Sequence, residues 1–315
     1  MQNTNYSHAC KIDEINILGK IIRVKGYICS ENGGPYREKP SDKKIQLSIC
    51  PTSFCAAKCP FCLATNSPDK KFIDTNKLRD VLEKLRDINI VRGVSVTGGE
   101  PFTDVGLLNE VLNMVFEIIG DSTEISVNTN SMYIDRIKDI EALHKLESIH
   151  VSRHHYNDDI NNELFGGIKM PSKEKLSEVI RSVPYDDLFV LNCMMAKGYI
   201  DSADEICKYL DFTAETGAYK ASLISATIVN EFTKEKRIDY RDVLKEDDPR
   251  FLFTRRYEDY EWCRCQDGIY ISSSGIPVEF YGRSTSPGGC DYARGLVYNT
   301  DNSLTIGFNG ENLLD

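Results

Sequence analysis

The sequence predicts an α/β fold built on a parallel sheet, and three observations carry that expectation. Short apolar runs alternate six times with amphipathic helical segments between residues 45 and 229, the pattern of β/α units in a parallel sheet. No seventh or eighth unit of the same kind follows, so a partial (β/α)6 TIM-like barrel is expected rather than a closed one. Glycine, cysteine and polar clusters fall where the strands end at their C-terminal side, the rim on which such folds gather their chemistry. Around this barrel the sequence predicts a short N-terminal lead-in, residues 1–44, and a small C-terminal α+β appendage, residues 230–315, closing over the open side.

In the lead-in, residues 15–24 read as a strand pair, and Asn32-Gly33-Gly34-Pro35 reads as a turn. The first barrel strand is the apolar run 45–49. From Thr75, the apolar residues Leu78, Val81, Leu82 and Leu85 fall at helical spacing. Strand two is 91–96, and the helix 107–119 that follows stops at Gly120. Strand three is 124–129, a helix is expected over 134–146, and strand four is 148–152. A helix over 173–183 leads to strand five, 188–195. A helix over 203–216 ends at Gly217, and strand six is 220–227. Beyond Val229 the pattern changes. Residues 230–250 are charged and helical in part, and 251–262 are rich in aromatic and charged residues. Residues 268–272 and 277–281 then form a hairpin through Ser273-Ser274-Gly275, and two strand-like pieces end the chain.

Composition narrows the function. The 315 residues are 41% apolar, enough for a sizeable core, and carry a net charge of −10. An acidic chain lacks the basic excess of a general nucleic-acid groove. No apolar run is long enough to span a bilayer, and the polar first ten residues lack the apolar core of a secretory signal. Eleven cysteines in such a chain read as ligands and buried thiols in a reducing cytoplasm rather than as disulfides.

Three of those cysteines, Cys55, Cys59 and Cys62, share one short loop after the first strand at C-x3-C-x2-C spacing, with Phe61 before the last. An iron–sulfur cube takes a ligand at each of four irons, so three thiolates leave one iron open to something other than protein. The same spacing also suits part of a structural zinc site, with Cys50 as fourth ligand. Cys50 belongs to the strand, however, and a zinc module leaves the glycine-rich end of strand two without a role. That end reads Thr97-Gly98-Gly99-Glu100-Pro101.

On these two motifs the chain resembles the radical S-adenosylmethionine (SAM) superfamily, and within it the molybdenum-cofactor cyclase and SPASM-like branch, over roughly residues 44–227. The resemblance implies a [4Fe–4S] cluster on Cys55, Cys59 and Cys62, with SAM on the open iron. It implies cofactor contacts from Phe61, Gly98, Gly99, Glu100 and Pro101, with Glu100 holding the SAM amino group. Thr129, Ser152 and Asn192, at the ends of strands three and four and in strand five, match polar positions that bind SAM in that branch, and Ser225 ends strand six. Arg153, His154 and His155 are expected at the rim, Arg153 as a fork for a carboxylate and the histidines to orient substrate or exchange protons. Cys193 is the thiol to watch as a hydrogen-atom donor. Cys263, Cys265 and Cys290 are candidate ligands of a second [4Fe–4S] cluster, although C-x-C-x24-C departs from the spacings of the related enzymes.

The expected function is reductive cleavage of SAM to a 5′-deoxyadenosyl radical that abstracts a hydrogen atom from a substrate C–H, in natural-product or peptide modification. A flavodoxin or ferredoxin would supply the electron. The alternatives are rearrangement or cyclisation of a sugar or nucleoside, and a non-catalytic metal-binding module. The chain departs from the GTP cyclase itself: it ends Gly310-Glu311-Asn312-Leu313-Leu314-Asp315 rather than in a Gly-Gly tail, it has Gln266-Asp267-Gly268 where that enzyme has basic residues, and Val190 replaces a basic residue in strand five.

Overall fold

The computed structural model describes residues 12–25, 45–62, 71–120, 122–245, 247–256, 268–281, 293, 295–307 and 310–314. A hairpin comes first, β1 (Ile12–Ile17) and β2 (Lys20–Lys25). Its two-residue turn, Leu18-Gly19, has positive φ at both positions, the geometry that matches the twist of paired strands. The barrel strands follow as β3 (Ile45–Ile49), β4 (Val91–Val96), β5 (Glu124–Thr129), β6 (Ser148–Ser152), β7 (Phe189–Met195) and β8 (Lys220–Ser225). Between them run α1 (Thr75–Asp87), α2 (Val105–Ile118), α3 (Asp158–Leu164), α4 (Lys173–Ser182) and α5 (Ala203–Thr216), and after them α6 (Glu231–Lys236) and α7 (Tyr240–Val243). Caps fix the helix starts. Asp74, Asp104, Asn157, Ser172 and Ser202 each accept backbone N–H groups of the first turn, which supplies partners the helix cannot.

The six barrel strands pair in sequence order, all parallel. The chain after Val229 adds strands to both edges of this sheet. The strands β9 (Phe251–Arg256), β10 (Gly268–Ser272) and β11 (Pro277–Tyr281) join at β8, with β11 parallel to it. The strands β12 (Gly295–Tyr298) and β13 (Leu304–Ile306) join at β3, with β12 parallel to it. The result is one open sheet ordered β13-β12-β3-β4-β5-β6-β7-β8-β11-β10-β9, a mixed α/β architecture with a mostly parallel centre and, among the described residues, no closed barrel. Among the described residues, no helix is long and apolar enough to cross a membrane.

Alternation along the strands divides the sheet into two faces. One face carries Leu47, Val94, Ile125, Val127, Ile149, Val151, Leu191, Leu223 and Phe280, fully or almost fully buried with the apolar stripes of α1, α2, α4 and α5. The other carries Gln46, Ser48, Ser95, Ser126, Asn128, Ser148, His150, Ser152, Asn192, Lys220, Ser222 and Glu279, with bonds across strands from Asn128 to Ser95, His150 to Asn192 and Lys220 to Glu279, and one along β6 between Ser148 and His150. This polar face, turned away from α1, α2, α4 and α5, is the inside of the partial barrel, and at its rim Phe232 of α6 packs with Met194.

Three expectations change. Residues 134–146 form two 3-10 turns, Ile134–Asp139 and Leu143–Lys145, instead of a helix. The side chain of Asn109 on α2 takes the carbonyl of Asp139 at 2.9 Å and the N–H of Glu141 at 3.1 Å, so those groups pair with a neighbour rather than along a helix. The short helix α3 was not expected, although Asn157, which accepts the N–H groups of Asp159 and Ile160, followed by the acidic Asp158 and Asp159 is a helix-start signal. Residues 251–256 form β9, where their aromatic and charged composition masked the alternation.

Phe280 on β11 is fully buried, with Tyr240 stacked at 4.9 Å and Tyr270 edge-on at 5.3 Å. Phe280→Ala is expected to lower stability by about 3–5 kcal/mol, read by urea unfolding. A loss under about 0.5 kcal/mol, the range of surface changes, would show that these strands are peripheral.

Candidate active site

The chain leaves β3 at Cys50 and crosses the rim as the cysteine loop. The loop is gripped from four sides. The N–H of Gly99 donates to the carbonyl of Thr52 at 2.8 Å, and that of Glu100 to the carbonyl of Phe54 at 2.7 Å. The N–H of Lys58 donates to the carbonyl of Phe165 at 3.1 Å. The side chain of Asn230, the N-cap of α6, donates to the carbonyl of Pro60 at 2.7 Å. The amide Nδ2 of Asn130, at the end of β5, lies 3.3 Å from Cys55 Sγ. Ala57 packs with Phe165 and Met170, while Phe61 meets the His154 ring edge-on at 4.7 Å. Cys50 packs elsewhere, against Gly98.

The two glycines after β4 are required by this packing. Gly98 has φ +108, a conformation that side chains oppose. A Cβ on Gly99 would sit 2.3 Å from the carbonyl oxygen of Phe54. The close approach expected at this motif is thus made, in the protein itself, to the cysteine loop.

Glu100 is 1% exposed and its carboxylate is largely committed. Oε1 accepts from the N–H of Phe102 at 3.0 Å and the hydroxyl of Thr129 at 2.8 Å, and Oε2 accepts from the N–H of Asn130 at 2.7 Å. Burial raises its pKa to about 7 against the pull of these bonds. Glu100 therefore ties the end of β4 to the end of β5. Thr129 lies on the helix side of β5 and spends its hydroxyl on Glu100 and on the N–H of Ser131.

The other residues singled out in the sequence separate by face. Ser152 and Asn192 are half-buried on the inner face, with Asn192 Oδ1 3.2 Å from His150 Nδ1. His154 stands beside Phe61 at the rim, between it and Phe165. Its Nδ1 accepts the N–H of Met194 at 3.1 Å, which leaves the ring proton on Nε2. Burial first, and the charge of Arg153 second, push its pKa down to about 3. His154 is accordingly a neutral donor rather than a group that exchanges protons near neutrality. His155 is 3% exposed and lowered by burial, its Nδ1 accepting from Asn157.

Arg153 is spent inside the protein. It is 1% exposed, donates to the carbonyls of His155 and Pro171, pairs with Asp158 and lies 5.1 Å from the Phe212 ring centre. Its fork holds the loop between β6 and α3. Cys193 lies on the helix side of β7 among Leu191 and Met195, its thiol donating to the carbonyl of His154 and raised by burial, so it does not face the interior. Ser225 pairs in register with Met195 on that same side, and its buried hydroxyl has no partner among the described residues. Strand parity, which sequence alone displays, separates Thr129, Cys193 and Ser225 from Ser152 and Asn192. It also marks His150, Lys220 and Glu279, which motif reading passed over. Cys263, Cys265 and Cys290 lie outside the described residues.

The thiols fit a cluster. Burial and then the charges of Cys62 and Cys55 push Cys59 up to about 12, and Cys55 is raised chiefly by burial. The three sulfurs therefore feel one another in a place that disfavours bare thiolates and favours thiolates neutralised by metal. Among the described residues no three His, Cys, Asp or Glu side chains converge on one ion. A cube asks for less, because each thiolate meets a different iron.

Two outcomes follow. Gly99→Ala must displace the Phe54 carbonyl, so iron and sulfide loading is expected to fall severalfold while circular dichroism shows a retained fold; full loading would mean that the loop yields freely. Because the folded pKa of Glu100, about 7, lies above the ordinary 4.5, the folded state holds this proton more tightly than the unfolded chain. Its contribution to stability is therefore fully present below about pH 4.5 and is lost as pH climbs to about 7. Glu100→Gln should remove that part of the pH dependence, seen by comparing urea midpoints at pH 5 and 7.5; identical slopes in both proteins would contradict it.

The fold resembles that of SuiB from Streptococcus suis. With S-adenosylmethionine bound, SuiB is 17% identical with a TM-score of 0.58, and the match covers 86% of this chain and 63% of SuiB. With the precursor peptide SuiA bound, the figures are 18%, 0.59, 86% and 62%. The chain thus spans less than two thirds of SuiB's length, and at this identity the likeness concerns the fold. No curated protein sequence matches the chain. The model of the Radical SAM superfamily matches residues 49–210, just over half of the chain. That match runs from the last residue of β3 into α5 and takes in the loop, the glycine turn and the strand ends that grip them, so the chain belongs to the radical SAM superfamily of enzymes.

Proposed function

We propose that this enzyme uses Cys55, Cys59 and Cys62 as the cluster ligands and abstracts a hydrogen atom from a C–H bond of a peptide or another natural-product substrate. The observation that carries this reading is the position of the gripped cysteine loop, at the rim of a barrel whose inner face is polar. Bound there, the family's [4Fe–4S] cluster and SAM supply a 5′-deoxyadenosyl radical by one-electron reductive cleavage. The chain's part is to bind, orient and shield. Phe61 and His154 form one wall beside the loop, with the Nε2 proton of His154 available to an acceptor on SAM. Backbone at Gly98, Gly99 and Pro101 lines the turn under the loop, and Ser152 and Asn192 offer polar groups from the inner face. Glu100 ties the two strand ends through three accepted bonds, which leave it one acceptor site, on Oε2, for the SAM amine.

A peptide substrate is supported by likeness of fold to SuiB, which has been seen with its precursor peptide. A sugar or nucleoside is favoured by a different observation, the row of His150, Asn192, Lys220 and Ser222 on the inner face, which suits a ligand rich in hydroxyls. A small one-electron donor such as flavodoxin or ferredoxin, in a reducing cytoplasm, completes the reading. The acidic surface gives no general hold on nucleic acid.

Anaerobically reconstituted protein is expected to form 5′-deoxyadenosine from SAM under dithionite, and the Cys55→Ala/Cys59→Ala/Cys62→Ala variant to form none. Cleavage retained in that variant, or zinc without sulfide in the wild type, would sink the proposal. Iron counting on the same variant reports on Cys263, Cys265 and Cys290: about four irons, one cubane, places a second cluster there, and an iron-free but folded protein removes it.

A further inference from the structure

Asn130 occupies an unusual position. It lies at the end of β5, 9% exposed, and its backbone N–H and both ends of its side-chain amide have partners. Its backbone N–H donates to Glu100 Oε2 at 2.7 Å. Its Oδ1 accepts from the N–H of Met132 at 2.9 Å. That second bond sets the orientation of the amide: a flipped side chain would turn NH2 toward the Met132 N–H and oxygen toward sulfur, losing both contacts. The Nδ2 group is therefore aimed at Cys55 Sγ, 3.3 Å away. The backbone N–H of Ala57 is a second donor on that sulfur. Glu100 is a positioning residue here, since it holds the backbone from which Asn130 reaches.

We propose that Asn130 donates an N–H···S hydrogen bond to the Cys55 ligand of the cluster and raises its reduction potential. The inference rests on the assignment of Cys55, Cys59 and Cys62 as cluster ligands. Reduction adds one negative charge, shared by the ligand sulfurs. A donor fixed on one sulfur stabilises the reduced form more than the oxidised form, and such bonds are among the levers that set cluster potentials. The direction matters for a reaction that begins with electron uptake, because the higher potential widens the range of donors able to load the cluster.

The test is a redox titration of the full chain, reconstituted anaerobically and followed by electron paramagnetic resonance without SAM. The cluster followed is the one whose signal later changes on SAM addition. Asn130→Ala removes the donor. Asn130→Asp keeps an acceptor for the Met132 N–H but sets a carboxylate against the sulfur. Both variants are expected to keep their iron, with midpoints more negative by roughly 59 mV or more, a tenfold loss in the one-electron reduction equilibrium. An unchanged midpoint in a loaded variant overturns the proposal. If one variant loads poorly, the other decides. Loss of iron from both overturns it too, since Asn130 would then be a prop for the loop. A wild type without any cluster would instead defeat the ligand assignment itself, so the two failures are told apart.

Discussion

Everything at the rim depends on holding three cysteine sulfurs in place on eight residues of chain that have little regular structure of their own. Within the loop the N–H of Cys62 donates to the carbonyl of Cys59 at 3.1 Å. Order comes from outside. The ends of β4, β5 and α3 and the cap of α6 each contribute a bond or a packing surface. The glycine turn, the buried Glu100 and the capping Asn230 are different answers to one requirement, that thiols too buried to ionise easily be presented together.

The sheet serves the same requirement at larger scale. Its helix-facing side is apolar and supplies the core, whereas its inner side is a lattice of Ser, Asn and His bonded across strands. Such a face costs stability unless its groups are satisfied, and most are paired with each other. Ser222, which stays without a partner among the described residues, lies on the face where a ligand or water would meet it. Stability and ligand capacity are in this way assigned to opposite sides of the same strands.

Much of this was legible in the sequence. The short apolar runs, the helical spacing and the glycine stops placed all six barrel strands and most helices, because each element's local pattern agrees with its burial. The loop and glycine turn were legible because ligand spacing is a local property. Residues whose roles depend on direction were less so. Arg153 and Thr129 look like ligand-binding groups at a strand end, yet both are spent on internal bonds, and Glu100 uses three of its four acceptor sites in the same way. Cys193 looked like a candidate until its strand parity was set against Asn192. Long-range pairing was opaque: nothing local in 277–281 or 295–298 says that one strand lies beside β8 and the other beside β3.

That last arrangement has a consequence for how the protein is made. The N–H of Cys50, at the root of the cysteine loop, is bonded to the carbonyl of Tyr298 at 2.9 Å, and β3 is flanked on one side by β12. During synthesis β3 emerges long before its neighbour, at ribosomal speeds by roughly tens of seconds. Until then one edge of β3 is open, and the base of the loop lacks its anchor. The barrel's first strand is thus completed by nearly its last, a high-contact-order closure that slows folding. Closure at the root of the loop is in this way an event that follows synthesis of β12, and a nascent chain stalled short of it would leave one edge of β3 unpaired and Cys50 without its Tyr298 partner.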